Sequence, residues 1–225
     1  MIKCLDWMVE LDSQNQFDCL IAHDPTLGPA WLSRLRPAAQ RAFRQVNEFV
    51  YPRPVRENWP DAADTAFQAT AQHIQAVHHR PWFWFEADCV PLKPGWLPSL
   101  WLEYQNCGQP IMGSVVPGMG HINGTAIYPP NFANLSPRAM AAGGGTAWDT
   151  DMTPDLVGRT HDCSRSFFHA WGQAADGSLH PCSGPPPHFG STLAVDKWIP
   201  RDAVLFHRCK DGSLIDQLRA KKRAP

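Results

Sequence analysis

Apolar residues recur at helical spacing from the start of the chain. Leu5, Met8 and Val9 share a face, which predicts a helix over Ile2–Leu11. Phe17-Asp18-Cys19-Leu20-Ile21-Ala22 then reads as a buried strand, closed by the turn signal His23-Asp24-Pro25. Residues 30–46 carry a second helical pattern, open to a break before Pro37, with Trp31, Leu35, Ala39 and Phe43 on one face. Glu48-Phe49-Val50-Tyr51 is a short strand stopped by Pro52 and Pro54. Asn58-Trp59-Pro60-Asp61 opens a further helix, with proline near the first turn and acids just inside it. Phe67, Thr70, Ala71, Ile74 and Val77 continue it on one face. A strand at 82–85, a helix at 97–104 and a strand at 110–116 follow. This alternation predicts an α/β fold with a mostly parallel central sheet. Beyond Pro117, glycine, proline and asparagine accumulate, and the strands are short, at 121–128 and 203–206. Gly143-Gly144-Gly145 and Pro185-Pro186-Pro187 mark loops. The expectation is one compact domain, with a regular half over 1–116 and a loop-rich half over 117–225.

Composition changes this picture little. Twenty basic residues stand against 21 acidic ones, so no large basic field points to nucleic acid. The 22 prolines imply many loops and few long helices. The seven cysteines (Cys4, Cys19, Cys89, Cys107, Cys163, Cys182 and Cys209) form no Cys-x-x-Cys pair, which argues against a structural zinc site. Their odd number, and the lack of a signal-peptide pattern, predict a reducing, cytoplasmic setting. No apolar run approaches membrane-spanning length. The one basic cluster, Arg219-Ala220-Lys221-Lys222-Arg223, reads most simply as a solvated terminus.

Chemistry enters at Pro81-Trp82-Phe83-Trp84-Phe85-Glu86-Ala87-Asp88-Cys89-Val90-Pro91-Leu92. Four large apolar residues run into two carboxylates spaced one apart. Acids at the end of a buried strand are costly unless something pairs with them. Ligands of open α/β sheets bind at strand carboxyl ends. Side chains alternate in extended chain, so Glu86 and Asp88 are expected to point the same way. Two hard oxygen ligands suit Mg²⁺ or Mn²⁺ holding a diphosphate. Asp88→Ala is then expected to abolish donor binding and leave the fold largely intact. A second acid-x-acid triplet, Asp149-Thr150-Asp151, follows Trp148 and the glycine loop. It reads equally as a helix cap or as a source of catalytic acids. Late in the chain, Val204-Leu205-Phe206 delivers His207, and Lys210-Asp211-Gly212-Ser213 follows. His207 is a third ligand or a satisfied structural histidine. Lys210 and Ser213 are candidates for phosphate oxygens.

Together these pieces resemble the glycosyltransferases of the GT-A fold, a Rossmann-like α/β architecture. The resemblance rests on element order over residues 17 to 116 and on isolated patches afterwards. It implies a divalent ion, Mn²⁺ or Mg²⁺, held by Glu86, Asp88 and His207, that clamps the diphosphate of a nucleotide sugar, here a UDP-sugar. It assigns donor contacts to Asp24, Asn58, Ala87, Lys210 and Ser213, and the catalytic base to Asp149, with Asp151 second. Lys210 or Arg208 adds charge stabilisation of the leaving group. The half 1–116 becomes the nucleotide-sugar layer and 117–225 the acceptor side. The chain departs from the family in opening with a helix where those enzymes open with a strand.

The acceptor side is read from Met119-Gly120-His121-Ile122-Asn123-Gly124-Thr125, whose small and polar residues admit sugar hydroxyls or, alternatively, turn between two strands. Trp148, Phe168 and Trp171 offer an apolar platform, with buried core the preferred reading. His188, before Phe189-Gly190-Ser191, lines the acceptor site or a lid. The acceptor is open. Some small enzymes that resemble this chain come from bacteriophages and glycosylate hydroxymethylated bases in DNA, which would place the chain in a host cytoplasm. Saccharides, lipid-linked sugars and proteins are further acceptor classes. Two other functions stay in view: a metal-dependent nucleotidyltransferase or phosphohydrolase, which also needs acidic ligands at strand ends, and a non-catalytic nucleotide-sugar-binding module.

Overall fold

A computed structural model describes every residue except 13, 14, 117–119, 144, 170, 171, 174–178, 181–184, 191–194, 224 and 225. Pro117, Met119, Gly144, Trp171, Cys182 and Ser191, named above, lie outside the described residues. Helix α1 (Ile2–Leu11) buries Cys4, Leu5, Trp7 and Met8 and leads into strand β1 (Asn15–His23). Helix α2 (Pro29–Ala42) starts with proline in its first turn and runs through Pro37 without a break. Its inward face is Ala38, Ala39 and Ala42, small residues suited to close packing, while Trp31 is 56 % exposed.

Strand β2 (Phe43–Val50) begins where the helical pattern was expected to continue to residue 46. Its parallel pairing with β1, Cys19 opposite Val46 through His23 opposite Val50, supplies the backbone bonds that a longer helix would have made. Helix α3 (Asp61–Val77) turns Asp64, Phe67, Thr70, Ala71 and Ile74 inward.

The aromatic run splits. Strand β3 covers only Trp82–Phe83, and a separate strand β4 covers Cys89–Pro91. Helix α4 (Trp96–Cys107) follows, its start held by the Asp12 carboxylate, which accepts from Gly95 N at 2.9 and 3.0 Å. Then come β5 (Ile111–Val115), β6 (Ile122–Tyr128), three one-turn helices α5 (Phe132–Leu135), α6 (Pro137–Met140) and α7 (Trp148–Asp151), and a 3₁₀ turn at Thr153–Leu156. The chain continues through β7 (Thr160–Asp162), β8 (Phe167–His169), β9 (Gly172–Gln173), β10 (Leu179–His180), α8 (Val195–Trp198), β11 (Leu205–His207) and α9 (Ser213–Arg223).

The architecture is mixed α/β, and the expectation of a mostly parallel sheet is corrected. Among the described residues, β3-β6-β5-β7 form a four-stranded sheet in which β6 runs antiparallel to β3 and β5, and only β7 runs parallel to β5. Strands β4-β11-β8 form a three-stranded sheet, with β11 antiparallel to β4 and parallel to β8. Strands β1-β2 and β9-β10 are separate pairs. An apolar run reveals burial and not strand direction; direction follows from pairing partners far away in the chain. Both larger sheets draw strands from either side of residue 116.

Two cores flank the site. One joins α1, α2, α4, β4, β11 and α9 around Trp7, Trp96, Leu205, Phe206 and Leu214, with Trp7 Nε1 donating to Pro91 O at 2.7 Å. The other surrounds Phe67 and holds Tyr128, Phe132, Trp148 and Met152. No helix among the described residues is long and apolar enough to cross a membrane.

Candidate functional site

The two acids do not sit at the end of an extended strand. Cys89 N donates to Glu86 O at 3.0 Å, so residues 86–89 turn as the chain leaves the four-stranded sheet for the three-stranded one. Side-chain alternation therefore breaks down here, yet the two carboxylates still converge. His207 Nε2 lies 3.0 Å from Asp88 Oδ1 and 3.1 Å from Glu86 Oε2. Strand register explains the meeting, because His207 is the antiparallel partner of Cys89 on β4 and the parallel partner of His169 on β8. The Asp88 carbonyl is fastened to the other strand by Arg208 N at 3.2 Å and Cys209 N at 2.9 Å. Arg208 adopts φ +92°, in the left-handed region where a long side chain is strained.

Burial and charge decide the protonation. Asp88 and His207 are 6 % and 5 % exposed. Desolvation pulls the His207 imidazole down, but the Asp88 and Glu86 carboxylates outweigh it and raise its pKa to about 9. Desolvation likewise pushes Asp88 up, and His207 and Lys210 more than offset it, holding that carboxyl well below the usual range. Lys210 Nζ ion-pairs with Asp88 Oδ2. The imidazolium Nε2–H thus serves the carboxylates. Its Nδ1–H points at His169 Nδ1, 2.7 Å away, which accepts as a neutral ring. Burial, then the His207 charge, takes the His169 pKa down to about 2. Asn123 Nδ2 lies 2.9 Å from His169 Nδ1, and Asn123 Oδ1 accepts from Thr125 N at 3.0 Å.

Asp149 approaches from the other core. Burial pushes its carboxyl up, Glu86 adds to the rise, and His121 opposes it, so the three share one electrostatic neighbourhood. Gly124 is needed there. A Cβ at this position would meet Trp148 Cζ2 at 2.8 Å and Glu86 Oε1 at 3.3 Å. Trp148 itself is core, stacked on Phe67 at 3.4 Å between ring centroids. The cap expected of Asp149 or Asp151 comes instead from Asp64, whose Oδ1 accepts from Trp148 N at 2.9 Å. Asp151 Oδ2 accepts from Thr146 Oγ1 at 2.9 Å.

Other expected residues lie elsewhere or are engaged. Asp24 closes its own turn by accepting from Thr26 N at 2.6 Å and from the Thr26 hydroxyl. Asn58 is exposed ahead of α3, and Ala87 is exposed on the turn itself. Ser213 Oγ accepts from Phe189 N at 2.7 Å, which ties the segment around 189 to the start of α9. His188 pairs with Asp211, which places it beside the Lys210 loop. His121 is buried, with Nδ1 2.9 Å from Ile122 O, and lines a cavity of about 250 Å³ with Met152, Thr153 and Leu156. Phe168 packs against Phe206.

Comparison of the chain with family models, with curated proteins and with solved structures yields no match. The functional reading therefore rests on this geometry.

Three residues escaped the sequence reading. Phe167-Phe168-His169 repeats the apolar-apolar-histidine pattern of Leu205-Phe206-His207, a signal that could have found His169. Cys89, between the acids and the apolar strand, places its thiol beside Asp88 and His207. The ligand atoms of these three residues all lie within 4.8 Å of one another. Asp64 is an acid on the apolar face of α3, in step with Phe67 and Ala71.

Asp64 is 2 % exposed, and its Oδ2 has no hydrogen-bond partner among the described residues. Burial first, then Asp149, Asp61 and Asp151, raise its pKa to about 6, against the Trp148 N–H. A folded pKa above the ordinary 3.8 means that the contribution is full below pH 3.8 and is lost as pH rises through about 6. Asp64→Asn keeps an acceptor for Trp148 and removes the ionisation. It is expected to stabilise the protein at pH 8 by on the order of 2 kcal/mol, and hardly at all at pH 4. Urea unfolding at the two pH values measures this, and an equal difference at both would refute the linkage.

Proposed function

We propose that the chain is a metal-dependent glycosyltransferase of the GT-A type that moves a sugar from a nucleotide-diphosphate donor to a hydroxyl acceptor. The observation that carries this reading is the meeting of Glu86 and Asp88 with His207, 121 residues apart in sequence between Glu86 and His207, at one buried point beside a lysine. Carboxylate and imidazole donors that meet within hydrogen-bond distance fit a divalent ion, with Glu86 at the open side of the site. When bound, such an ion supplies Lewis-acid stabilisation of the charge that develops on a leaving diphosphate. Lys210, with its side chain largely exposed, is free to swing from Asp88 to a phosphate oxygen. Asp149 takes the acceptor proton. Its upward-shifted carboxyl suits a base better than an ordinary aspartate, because general-base efficiency rises as the pKa nears the working pH. His169 and Asn123 hold the His207 ring in one orientation.

The test is turnover of a panel of nucleotide sugars with Mn²⁺, monitored by release of free nucleotide and with hydroxymethylated DNA among the acceptors. Sugar transfer or slow donor hydrolysis supports the proposal. Release of inorganic phosphate from simple esters would replace it with a phosphohydrolase, and binding without turnover with a binding module. Asp149→Asn is expected to leave the donor dissociation constant unchanged and to slow transfer by about 10²- to 10⁴-fold. Full activity in that variant would remove Asp149 from the mechanism.

A further inference from the structure

We infer that the ion site is built from Asp88, Cys89 and His207, and that the Cys89 thiolate makes it select a borderline-soft transition-metal ion over Mg²⁺. This rests on the reading of the cluster as an ion site and names the ion class that site takes.

The donor set argues for it. The carboxylate, thiol and imidazole donor atoms of these three residues all lie within 4.8 Å of one another. Cys89 and His207 face each other across one antiparallel register position, and Asp88 immediately precedes Cys89. A hydrogen-bonded ladder thus sets two of the ligands, which is the rigid support a metal site needs. Cys89 is fully buried, and Phe167 lies 6.2 Å from the His207 ring between centroids. Glu86 differs. Its side chain is 36 % exposed, and it meets the cluster through His207 Nε2 at 3.1 Å. Glu86 then faces the substrate side, where Gly124 and Asp149 lie.

Mg²⁺ demands octahedral oxygen ligation and keeps several waters. A buried thiolate and an imidazole do not provide that, whereas Zn²⁺, Co²⁺ and Fe²⁺ accept sulfur, nitrogen and oxygen together. Three protein ligands with a further position open is the arrangement of catalytic zinc sites. The outer contacts agree. His169 Nδ1 engages His207 Nδ1, which leaves Nε2 toward Asp88, and the Cys89 thiol donates to Thr125 Oγ1 at 3.8 Å, a hydroxyl that can turn its own proton toward the sulfur once the thiol is deprotonated. On binding, the Cys89 S–H and His207 Nε2–H bonds break, both protons pass to buffer, and bonds from sulfur and nitrogen to the ion form with no change of oxidation state.

Titration of the intact chain with Co²⁺ tests this. The expected spectrum combines visible d–d bands with a near-ultraviolet thiolate-to-cobalt charge-transfer band, and excess Mg²⁺ leaves it unchanged. Cys89→Ser should lose the charge-transfer band and bind Co²⁺ at least about tenfold more weakly, the size of effect known for loss of an outer-shell partner alone. Cys4→Ser and Cys209→Ser, in neighbouring buried thiols, should keep the band. Where Cys89→Ser does not fold, the wild-type band with its survival in those two variants decides. Cobalt d–d bands without charge transfer, or displacement by Mg²⁺ at similar concentration, would overturn the thiolate ligand and leave the ion site standing. Absence of any Co²⁺ binding would overturn both.

Discussion

Asp88→Ala is expected to reduce ion-dependent turnover to background and to destabilise the fold by about 3–5 kcal/mol, the usual cost of removing one partner from a buried ion pair. That is a large share of the roughly 5–15 kcal/mol of a typical domain. The reason is geometric. Asp88 is the point at which the His207 imidazolium and the Lys210 ammonium both terminate. Without it, a buried His207 keeps, among the described residues, the partly exposed Glu86 as its ionic partner. The chain read as sequence treats Asp88 as a ligand whose loss spares the fold; its burial reverses that expectation.

The pH profile carries a second signature. His207, raised from the ordinary 6.5 to about 9, contributes stability that is full below pH 6.5 and is lost as pH rises through about 9. Asp88, held below 3.8, contributes stability that is full above pH 3.8 and is lost as pH falls through its lower folded value. The pair therefore supports the ion-free protein most strongly between these limits. In Asp88→Ala the alkaline loss should move toward neutrality, because His207 loses the larger part of its hydrogen-bonded charge. Thermal unfolding from pH 5 to pH 10, with and without metal, measures both effects. An unchanged alkaline limb in the variant would show that Asp88 does not hold the His207 proton.

Phe67→Ala should cost about 3–5 kcal/mol and lower the melting temperature by roughly 10 °C. Phe67 is fully buried, stacks on Trp148 with an interplanar angle of 4°, and has ring contacts with Trp82, Trp84, Tyr128 and Phe132. A cavity there cannot collapse readily, since large rings anchored on β3, β6, α5 and α7 surround it. The functional consequence runs through Trp148, which closes against Gly124 and precedes Asp149. Transfer should therefore fall further than ion binding does. Phe67→Leu, which refills part of the space, should recover much of both. Calorimetry together with turnover and Co²⁺ titration separates these readouts. A loss below about 1 kcal/mol would mean that the aromatic cluster repacks freely.

Helix α1, strand β1 and helix α3 were legible because each carries a local period of apolar residues. The end of α2 was not, because helical spacing continues into Phe43 while pairing with β1 draws the chain into extended form. The sequence reads as one strand over 82–85 with the acids at its end; the strand stops at Phe83, a turn carries the acids, and Cys89–Pro91 is a second strand in another sheet. His169 and Cys89 join the site only because β11 lies between β8 and β4.

The sequence by itself determined which residues are chemically capable: acids set against an apolar run, and a histidine after another. Those facts depend on local composition and spacing, which are written in order along the chain. Tertiary structure alone decided which of them meet, in what protonation state, and with which thiol and second histidine for company. Partners across a sheet are chosen by register between segments more than a hundred residues apart, and burial at that meeting point sets the charges.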